Sequence, residues 1–179
     1  ANVAEMEWPF NRATPYLNEL QGVILSLLDA GKHVTAILEE LNFTDRKSGK
    51  SEDGSKVILC FLPGIKEIRR AEAELSETLK KKDDINTEIF ILHSSISLSD
   101  QKKIFTPLSE KTNRIIISSA IAETSLTVPG VTTVIDSGLS RVNRLNIALG
   151  MESLFTENES DFSAEQRKGR AGRTQKGRC

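Results

Sequence analysis

One apolar run constrains the fold of this chain more than any other segment: Val57-Ile58-Leu59-Cys60-Phe61-Leu62. Because its apolar residues do not alternate with polar ones, a strand formed here is expected to be buried on both faces. Pro63 and Gly64 end the run, and apolar residues at helical spacing follow from Ile65 to Leu79. A strand covered on both faces and followed by a helix indicates a parallel sheet between layers of helices.

Three more strands are predicted further along the chain, over Glu88–Leu92, Arg114–Ser118 and Val131–Asp136. Ser97 and Asp100 have the spacing of a capping box, which predicts a helix that runs from this point through Phe105. Strands that alternate with helices favour a βαβ architecture, in which ligands bind beyond the carboxyl ends of the strands. The predicted fold class is therefore α/β, with a mostly parallel central sheet.

The first part of the chain has helical spacing in two stretches, residues 17–28 and 34–41, which Gly31 separates. Residues 42–56 are polar and rich in Ser, Gly, Lys and Asp, as expected of a loop. We therefore predict an N-terminal helical segment over residues 1–50 that leads into one α/β domain over residues 51–179.

Composition places few limits on the partners of this chain. Its 179 residues are 38% hydrophobic and 27% charged with a net charge of −1, which is ordinary for a globular domain. Basic residues are concentrated in the last part of the chain, which favours a local phosphate site over a general coating of nucleic acid. The two cysteines have no metal-ligand spacing, so no metal site is predicted. No apolar run approaches the roughly 20 residues of a membrane span, so no membrane partner is expected.

The most specific chemical signal is the octamer Gln166-Arg167-Lys168-Gly169-Arg170-Ala171-Gly172-Arg173. A helix here would place Gln166, Arg170 and Arg173 on one face, and Ser163 has the spacing of its N-cap. Arginine presents a planar fork of donors that suits phosphate oxygens. Two glycines, which each cost a helix about 1 kcal/mol, favour the close approach of a ligand. On the residues alone, a phosphate site and a solvated basic surface both stay open.

Together with its companions, the octamer resembles motif VI of superfamily 2 helicases, in the form found in the DEAH-box/RHA branch. Residues 117–127, Ile-Ser-Ser-Ala-Ile-Ala-Glu-Thr-Ser-Leu-Thr, resemble motif V of that family, and residues 61–68 resemble motif IV. Residues 92–95, Leu-His-Ser-Ser, resemble the next backbone-contacting loop, and residues 138–155 are similar to a projecting β-hairpin. The segment Asp136-Ser137-Gly138-Leu139 favours the bacterial HrpA/HrpB-like members. The resemblance implies the second, C-terminal RecA-like domain, a three-layer α/β/α fold that is truncated just after motif VI.

The resemblance also implies an ATP-dependent RNA helicase, in which this domain faces a bound nucleotide. Arg170 and Arg173 would be arginine fingers on the γ-phosphate, and Gln166 would position the attacking water. Phe105 would stack on the adenine base, although an apolar residue late in a helix is also a normal core residue. The other nucleotide contacts implied are Glu123, Thr124, Ser125 and Gly169.

Contacts to the backbone of single-stranded RNA are implied for the turns that follow the strands and for the hairpin. The residues are Gly64, His93, Ser94, Ser95, Ser118, Ser119, Thr127 and Arg141. By themselves, a turn rich in Ser and Thr is more often a plain helix cap, and an isolated arginine is more often merely exposed. Ala120 stands where the family usually has Asn, and Pro129 where it often has an acid near the ribose, so that ribose contact is not carried over.

The sequence contains neither a Gly-x-x-x-x-Gly-Lys-Ser/Thr phosphate loop nor an Asp-Glu-x-His segment. We therefore expect the isolated domain to be inactive and to hold no cofactor of its own. ATP and Mg²⁺ would be held mainly by the first RecA-like domain of the full-length protein, which is the expected partner together with RNA. A monomer is expected, in the cytoplasm if the source is bacterial. Two alternatives stay open: a non-catalytic RNA-binding module with a helicase-like fold, and a DNA helicase of the same superfamily.

Overall fold

The centre of the fold is a parallel sheet of four strands in the order β2-β3-β1-β4. It is seen in a computed structural model that describes residues 31–42, 54–124, 127–146, 150–171 and 179. The strands lie within the predicted segments or one residue outside them, which confirms the prediction of a parallel sheet. Their bounds are β1 Val57–Phe61, β2 Thr87–Leu92, β3 Asn113–Ser118 and β4 Thr133–Asp136.

Five helices lie within the described ranges: α1 over 31–42, α2 Ile65–Lys81, α3 Leu98–Lys103, α4 Ile121–Thr124 and α5 Asp161–Lys168. The capping box at the start of α3 is confirmed, because Ser97 Oγ accepts a hydrogen bond from the backbone N–H of Asp100 at 3.2 Å. The helix ends at Lys103, two residues before Phe105. None of the described helices combines the length and the apolar character that a membrane crossing requires.

The sheet has a core on each of its faces, because alternate residues of a strand point to opposite sides. Ile58 and Cys60 of β1 pack on the side of α1 and α2. Leu59 and Phe61 pack on the other side, with Ile104 after α3 and residues of α4. The predicted three-layer α/β/α arrangement is confirmed. Burial raises the pKa of the Cys60 thiol to about 12, with a smaller contribution from the charge of Asp136, as expected of a small buried hydrophobic residue.

Helix α1 is part of this core. Ile37 is fully buried in it, and the hydroxyl of Thr133 in β4 donates to the Glu40 carboxylate at 2.9 Å. The Lys56 ammonium group donates to the carbonyl of Glu40, in the last turn of α1, where a positive charge interacts favourably with the helix dipole. Residues 43–53 lie outside the described residues, so the predicted boundary between residues 50 and 51 stays a prediction.

A β-hairpin forms a second, two-stranded sheet. It consists of β5 Leu139–Asn146 and β6 Met151–Asn158, which pair in antiparallel orientation. The hairpin predicted over residues 138–155 is therefore confirmed, and its strands extend to residue 158. Ser140 and Arg141 are consecutive on β5, so their side chains leave opposite faces of the hairpin.

The position of Ile116 gives a test of the sheet. Ile116 is fully buried on β3, which lies between β1 and β2. Ile116→Ala should lower the free energy of unfolding by about 2–5 kcal/mol, because it removes buried methyl groups and leaves a cavity. Ile85→Ala is the matched control, since Ile85 is 91% exposed, and a change within about 0.5 kcal/mol is expected. Urea denaturation of the chain measures both values, and equal losses would contradict this placement.

Candidate functional site

A cavity of about 260 Å³ lies at the carboxyl edge of the sheet. Its walls come from the segments that follow β1, β2 and β3, together with the start of β5 and one residue of α5. This is the edge where ligands bind in open α/β sheets. Four residues with a predicted role in RNA contact line it together: His93, Ser94, Ser119 and Arg141.

The imidazole of His93 is held as a neutral group. Its Nδ1 accepts a hydrogen bond from the Ser95 backbone N–H at 3.1 Å and lies 2.8 Å from the Ser95 hydroxyl. Because Nδ1 accepts, the ring proton is on Nε2. Burial lowers the pKa of His93, so the ring offers a neutral N–H donor at pH 7. Ser95 is exposed and orients the His93 ring.

The hydroxyl residues after β3 differ in their exposure. Ser118 is fully buried, and its hydroxyl donates to the carbonyl of Ser119 at 2.7 Å. This bond supports the turn, and the predicted contact of Ser118 with nucleic acid stays a prediction, while Ser119 lines the cavity. Thr127 is exposed. Of the predicted nucleotide contacts nearby, Glu123 and Thr124 belong to α4 and their side chains lie outside the described residues, as does all of Ser125.

Gly64 makes room for an ion pair. It is buried at the N-terminal end of α2, and its φ of −162° is extended backbone that any residue adopts. A Cβ at this position would lie 3.1 Å from Arg141 Nε and 3.1 Å from Glu67 Oε2. Arg141 Nη2 lies 2.8 Å from Glu67 Oε1, across the start of the helix. The glycine is thus explained by the close approach of two charged side chains, and its predicted approach to a phosphate stays a prediction.

Arg167 connects α5 to the sheet and to the hairpin, and the sequence patterns did not mark it. Its side chain is 1% exposed, and its Nη1 lies 2.8 Å from Asp136 Oδ1 at the end of β4. The same nitrogen is 2.7 Å from Glu159 Oε2, a close charge contact without the alignment of a hydrogen bond. Nη2 donates to Ser140 Oγ at 2.8 Å, and the guanidinium lies 5.0 Å from the centre of the Phe61 ring.

Helix α5 differs from the helix predicted for the octamer. Its N-cap is Ser160, whose Oγ accepts from the backbone N–H of Ser163 at 3.1 Å, so the prediction of Ser163 as the cap is wrong. Ser160 reaches the free N–H groups of the first turn three residues earlier.

The predicted helical face of the octamer is interrupted. The helix ends at Lys168 with Gly169 as its C-cap, and Arg170 lies in a turn, its N–H donating to the Arg167 carbonyl at 3.0 Å. A Cβ on Gly169 would lie 3.2 Å from the Glu165 carbonyl oxygen, which explains a small residue there. Arg170 is buried at 6% exposure and Gln166 is half-buried, while Arg173 lies outside the described residues.

Phe105 lies outside both core clusters and is 38% exposed, so the alternative of a core residue is wrong. The backbone on either side of it is held by Arg114, which is buried on β3. Arg114 Nη1 donates to the carbonyl of Ile104 at 2.7 Å and to that of Thr106 at 2.8 Å. The aromatic ring is therefore presented at the surface by a fixed segment, which leaves base stacking open to it.

No group of three or more His, Cys, Asp or Glu residues is arranged to hold a metal ion in the described part of the chain. What the described residues offer is a cavity with hydroxyl, imidazole and guanidinium donors, which is the chemistry of phosphate contact.

Residues 32–175 match the family model of the helicase conserved C-terminal domain. The chain belongs to this family. Over 127 residues it is 41% identical to an ATP-dependent RNA helicase HrpA homolog of Haemophilus influenzae. The matched region covers 71% of this chain and 9% of that protein. Over 130 residues it is 35% identical to the ATP-dependent RNA helicase HrpB of Escherichia coli, covering 72% of this chain and 15% of that protein.

The solved structures agree with this assignment. The crystal structure of the Escherichia coli DExH-box NTPase HrpB matches 81% of this chain and 16% of that one, with a TM-score of 0.67 and 32% identity. The predicted RecA-like fold and the relationship to DEAH-box helicases are confirmed. The helicase C-terminal domain described here spans only 9–15% of the length of these curated relatives.

The buried arginine of this helicase domain should be essential to its stability. Arg167→Leu removes the buried positive charge beside Asp136 and Glu159, so a loss of about 3–5 kcal/mol in the free energy of unfolding is expected. Lys168→Leu is the matched control, because the Lys168 side chain is 63% exposed and lies 3.4 Å from an exposed Glu165. The control should change stability by less than about 1 kcal/mol. Chemical denaturation that gave similar losses for both variants would contradict the role of Arg167.

The His93 ring should titrate at lower pH than an exposed histidine. Burial disfavours the charged form, so the midpoint is expected below the ordinary value of about 6.5. NMR titration of the ring protons measures it, and the spectrum of a His93→Gln variant assigns the signal. A midpoint at or above the ordinary value would show that a neighbouring carboxylate stabilises the protonated ring or that the ring is freely solvated.

Proposed function

We propose that this domain is the second RecA-like half of an ATP-dependent RNA helicase, and that it grips the RNA backbone during translocation. The observation that carries the proposal is the cavity at the carboxyl edge. It gathers His93, Ser94, Ser119 and Arg141 from segments that are far apart in the chain. The helicase names of the matching relatives support the same reading.

The donors of the cavity suit a phosphate backbone better than bases. Serine hydroxyls, a neutral imidazole N–H and a guanidinium all donate hydrogen bonds to phosphate oxygens. Such contacts position a strand without reading its sequence, so little sequence preference is expected. Backbone recognition of this kind suits an enzyme that has to move along RNA in steps.

The nucleotide side of the proposal rests on α4 and α5, which carry the segments that resemble motifs V and VI. The two helices contact each other, and α5 is fixed to β4 through Arg167 and Asp136. In the intact protein, ATP and Mg²⁺ would be held mainly by the first RecA-like domain. Arg170 and Arg173 would then offset the charge that develops on the γ-phosphate, while Gln166 orients the attacking water.

Hydrolysis would remove the phosphate charge that draws the arginines toward the other domain. The two RecA-like domains would then separate, and the grip of this domain on the RNA backbone would shift by one step. The expected partners are therefore single-stranded RNA and the first RecA-like domain of the same protein, which would act as a monomer.

The finger assignment is tested in the full-length protein by Arg173→Ala. An arginine finger contributes about 10³–10⁵ in rate in well-studied nucleotidases, so a fall of that order in RNA-stimulated ATP hydrolysis is expected. Lys168→Ala is the control, because this lysine belongs to the same basic stretch and its side chain is 63% exposed. Activity of Arg173→Ala within about tenfold of the unmodified protein would reject the assignment.

Two further measurements separate the alternatives. Arg170→Ala requires a melting curve beside the ATPase assay, because Arg170 is buried and its loss also affects folding. Full ATPase inactivity of the unmodified full-length protein, with RNA binding intact, would favour a non-catalytic RNA-binding module. Unwinding of matched RNA and DNA duplexes decides between an RNA helicase and a DNA helicase.

A further inference from the structure

The Arg141–Glu67 ion pair has features that a surface salt bridge lacks. Glu67 is fully buried in the first turn of α2, although its partner is 22% exposed. The two residues are 74 positions apart in the sequence, and they join the hairpin to the segment that resembles motif IV. Gly64 lies directly beneath them, and any larger residue would press on both side chains. The absence of a side chain at position 64 therefore leaves space for this ion pair.

The Nη1 edge of the guanidinium remains for a ligand. Arg141 donates to Glu67 through Nη2, its Nε is buried without a hydrogen-bond partner, and no described residue accepts from Nη1. The same side chain forms part of the wall of the cavity, beside Ser94, Ser119 and Ser140. An arginine that is fixed on one edge and open on the other is suited to bind a phosphate oxygen.

We propose that Glu67 is a positioning residue, which holds the Arg141 guanidinium at the cavity wall to receive a phosphate of the RNA backbone. This inference rests on the proposed function of the cavity as an RNA site. A long arginine side chain loses conformational freedom when it binds, and a side chain that is already held avoids part of that loss. The acid thus favours RNA binding through geometry, although its own charge opposes the approach of a phosphate.

Because the geometric effect and the charge effect of Glu67 are opposite, the direction of the change in RNA affinity distinguishes between them. Glu67→Met removes the acceptor and the negative charge while keeping a side chain of similar length. If charge dominated, this variant would bind RNA more tightly. If Glu67 positions Arg141, it binds single-stranded RNA more weakly, by about threefold or more. Glu67→Gln removes the charge but keeps an oxygen that accepts from Arg141 Nη2, so we expect it to retain the affinity of the unmodified protein.

The measurement is fluorescence anisotropy of a labelled single-stranded RNA with the full-length helicase, at several salt concentrations. Arg141→Ala should weaken binding by about tenfold and reduce the slope of log K against log salt by about 0.7, the value for one phosphate contact on a single strand. Glu67→Met should also reduce this slope. In the double variant, Glu67→Met should add nothing to the effect of Arg141→Ala, because its effect passes through Arg141.

Glu72→Gln is the matched control for charge. Glu72 is on the same helix and pairs with the exposed Arg69 at 3.1 Å, so its loss should leave the RNA affinity and the salt slope unchanged. If Glu67→Met fails to fold, as judged by its melting curve, Gly64→Ala takes its place. The new methyl group would displace Arg141 with both charges retained, and the same weakening is expected.

The outcomes separate the inference from the proposed function. If Arg141→Ala weakens RNA binding while a folded Glu67→Met or Gly64→Ala binds as tightly as the unmodified protein, the positioning role is wrong and the RNA site stands. If Arg141→Ala itself leaves the affinity and the salt slope unchanged, the assignment of RNA to this cavity is wrong, and the role of Glu67 is wrong with it.

Discussion

The burial of one charged side chain, that of Arg167, determines how several segments of this domain pack together. A guanidinium that is 1% exposed, as Arg167 is, is stable only beside carboxylates that offset its lost hydration. Its acids come from different parts of the chain: Asp136 ends β4, and Glu159 precedes α5. The end of β4, the entry to α5 and the start of β5 therefore have to meet at one point. The parallel sheet fixes that point, because β4 ends at its carboxyl edge.

The same junction connects the parts of the domain that are proposed to face RNA and nucleotide. Ser140 on β5 accepts from Arg167 of α5 at 2.8 Å, and the next residue, Arg141, donates to Glu67 of α2 at 2.8 Å. Because consecutive side chains leave opposite faces of a strand, β5 is held between the two helices. Helix α5 is thus bonded, through Ser140, to the strand that carries Arg141. The proposed ATP cycle and the proposed RNA contact are thus connected through two consecutive residues, Ser140 and Arg141.

Local sequence patterns predict the strands and most of the helices of this fold. They do not predict ion pairs between residues that are far apart in the sequence. The apolar run that begins at Val57 predicts a buried strand because its neighbours along the chain are enough to identify it. The N-cap of α3 is predicted because Ser97 and Asp100 are close in sequence. For α5, Ser160 and Ser163 both have a capping side chain, and only the three-dimensional structure decides between them. Arg167 has no such local signal, since Asp136 is 31 residues away.

The buried arginines are better explained by the groups that they hold in place than by a gain in the free energy of unfolding. A buried ion pair gives little net stability compared with apolar side chains of the same volume. Arg114 binds the carbonyls on both sides of Phe105, and Arg167 binds the Leu139 carbonyl two residues before Arg141. Such directional bonds accept one arrangement of their partners, whereas apolar contacts tolerate sliding. The apolar core therefore holds the sheet, and the arginines fix the positions of the side chains proposed to touch nucleotide and RNA.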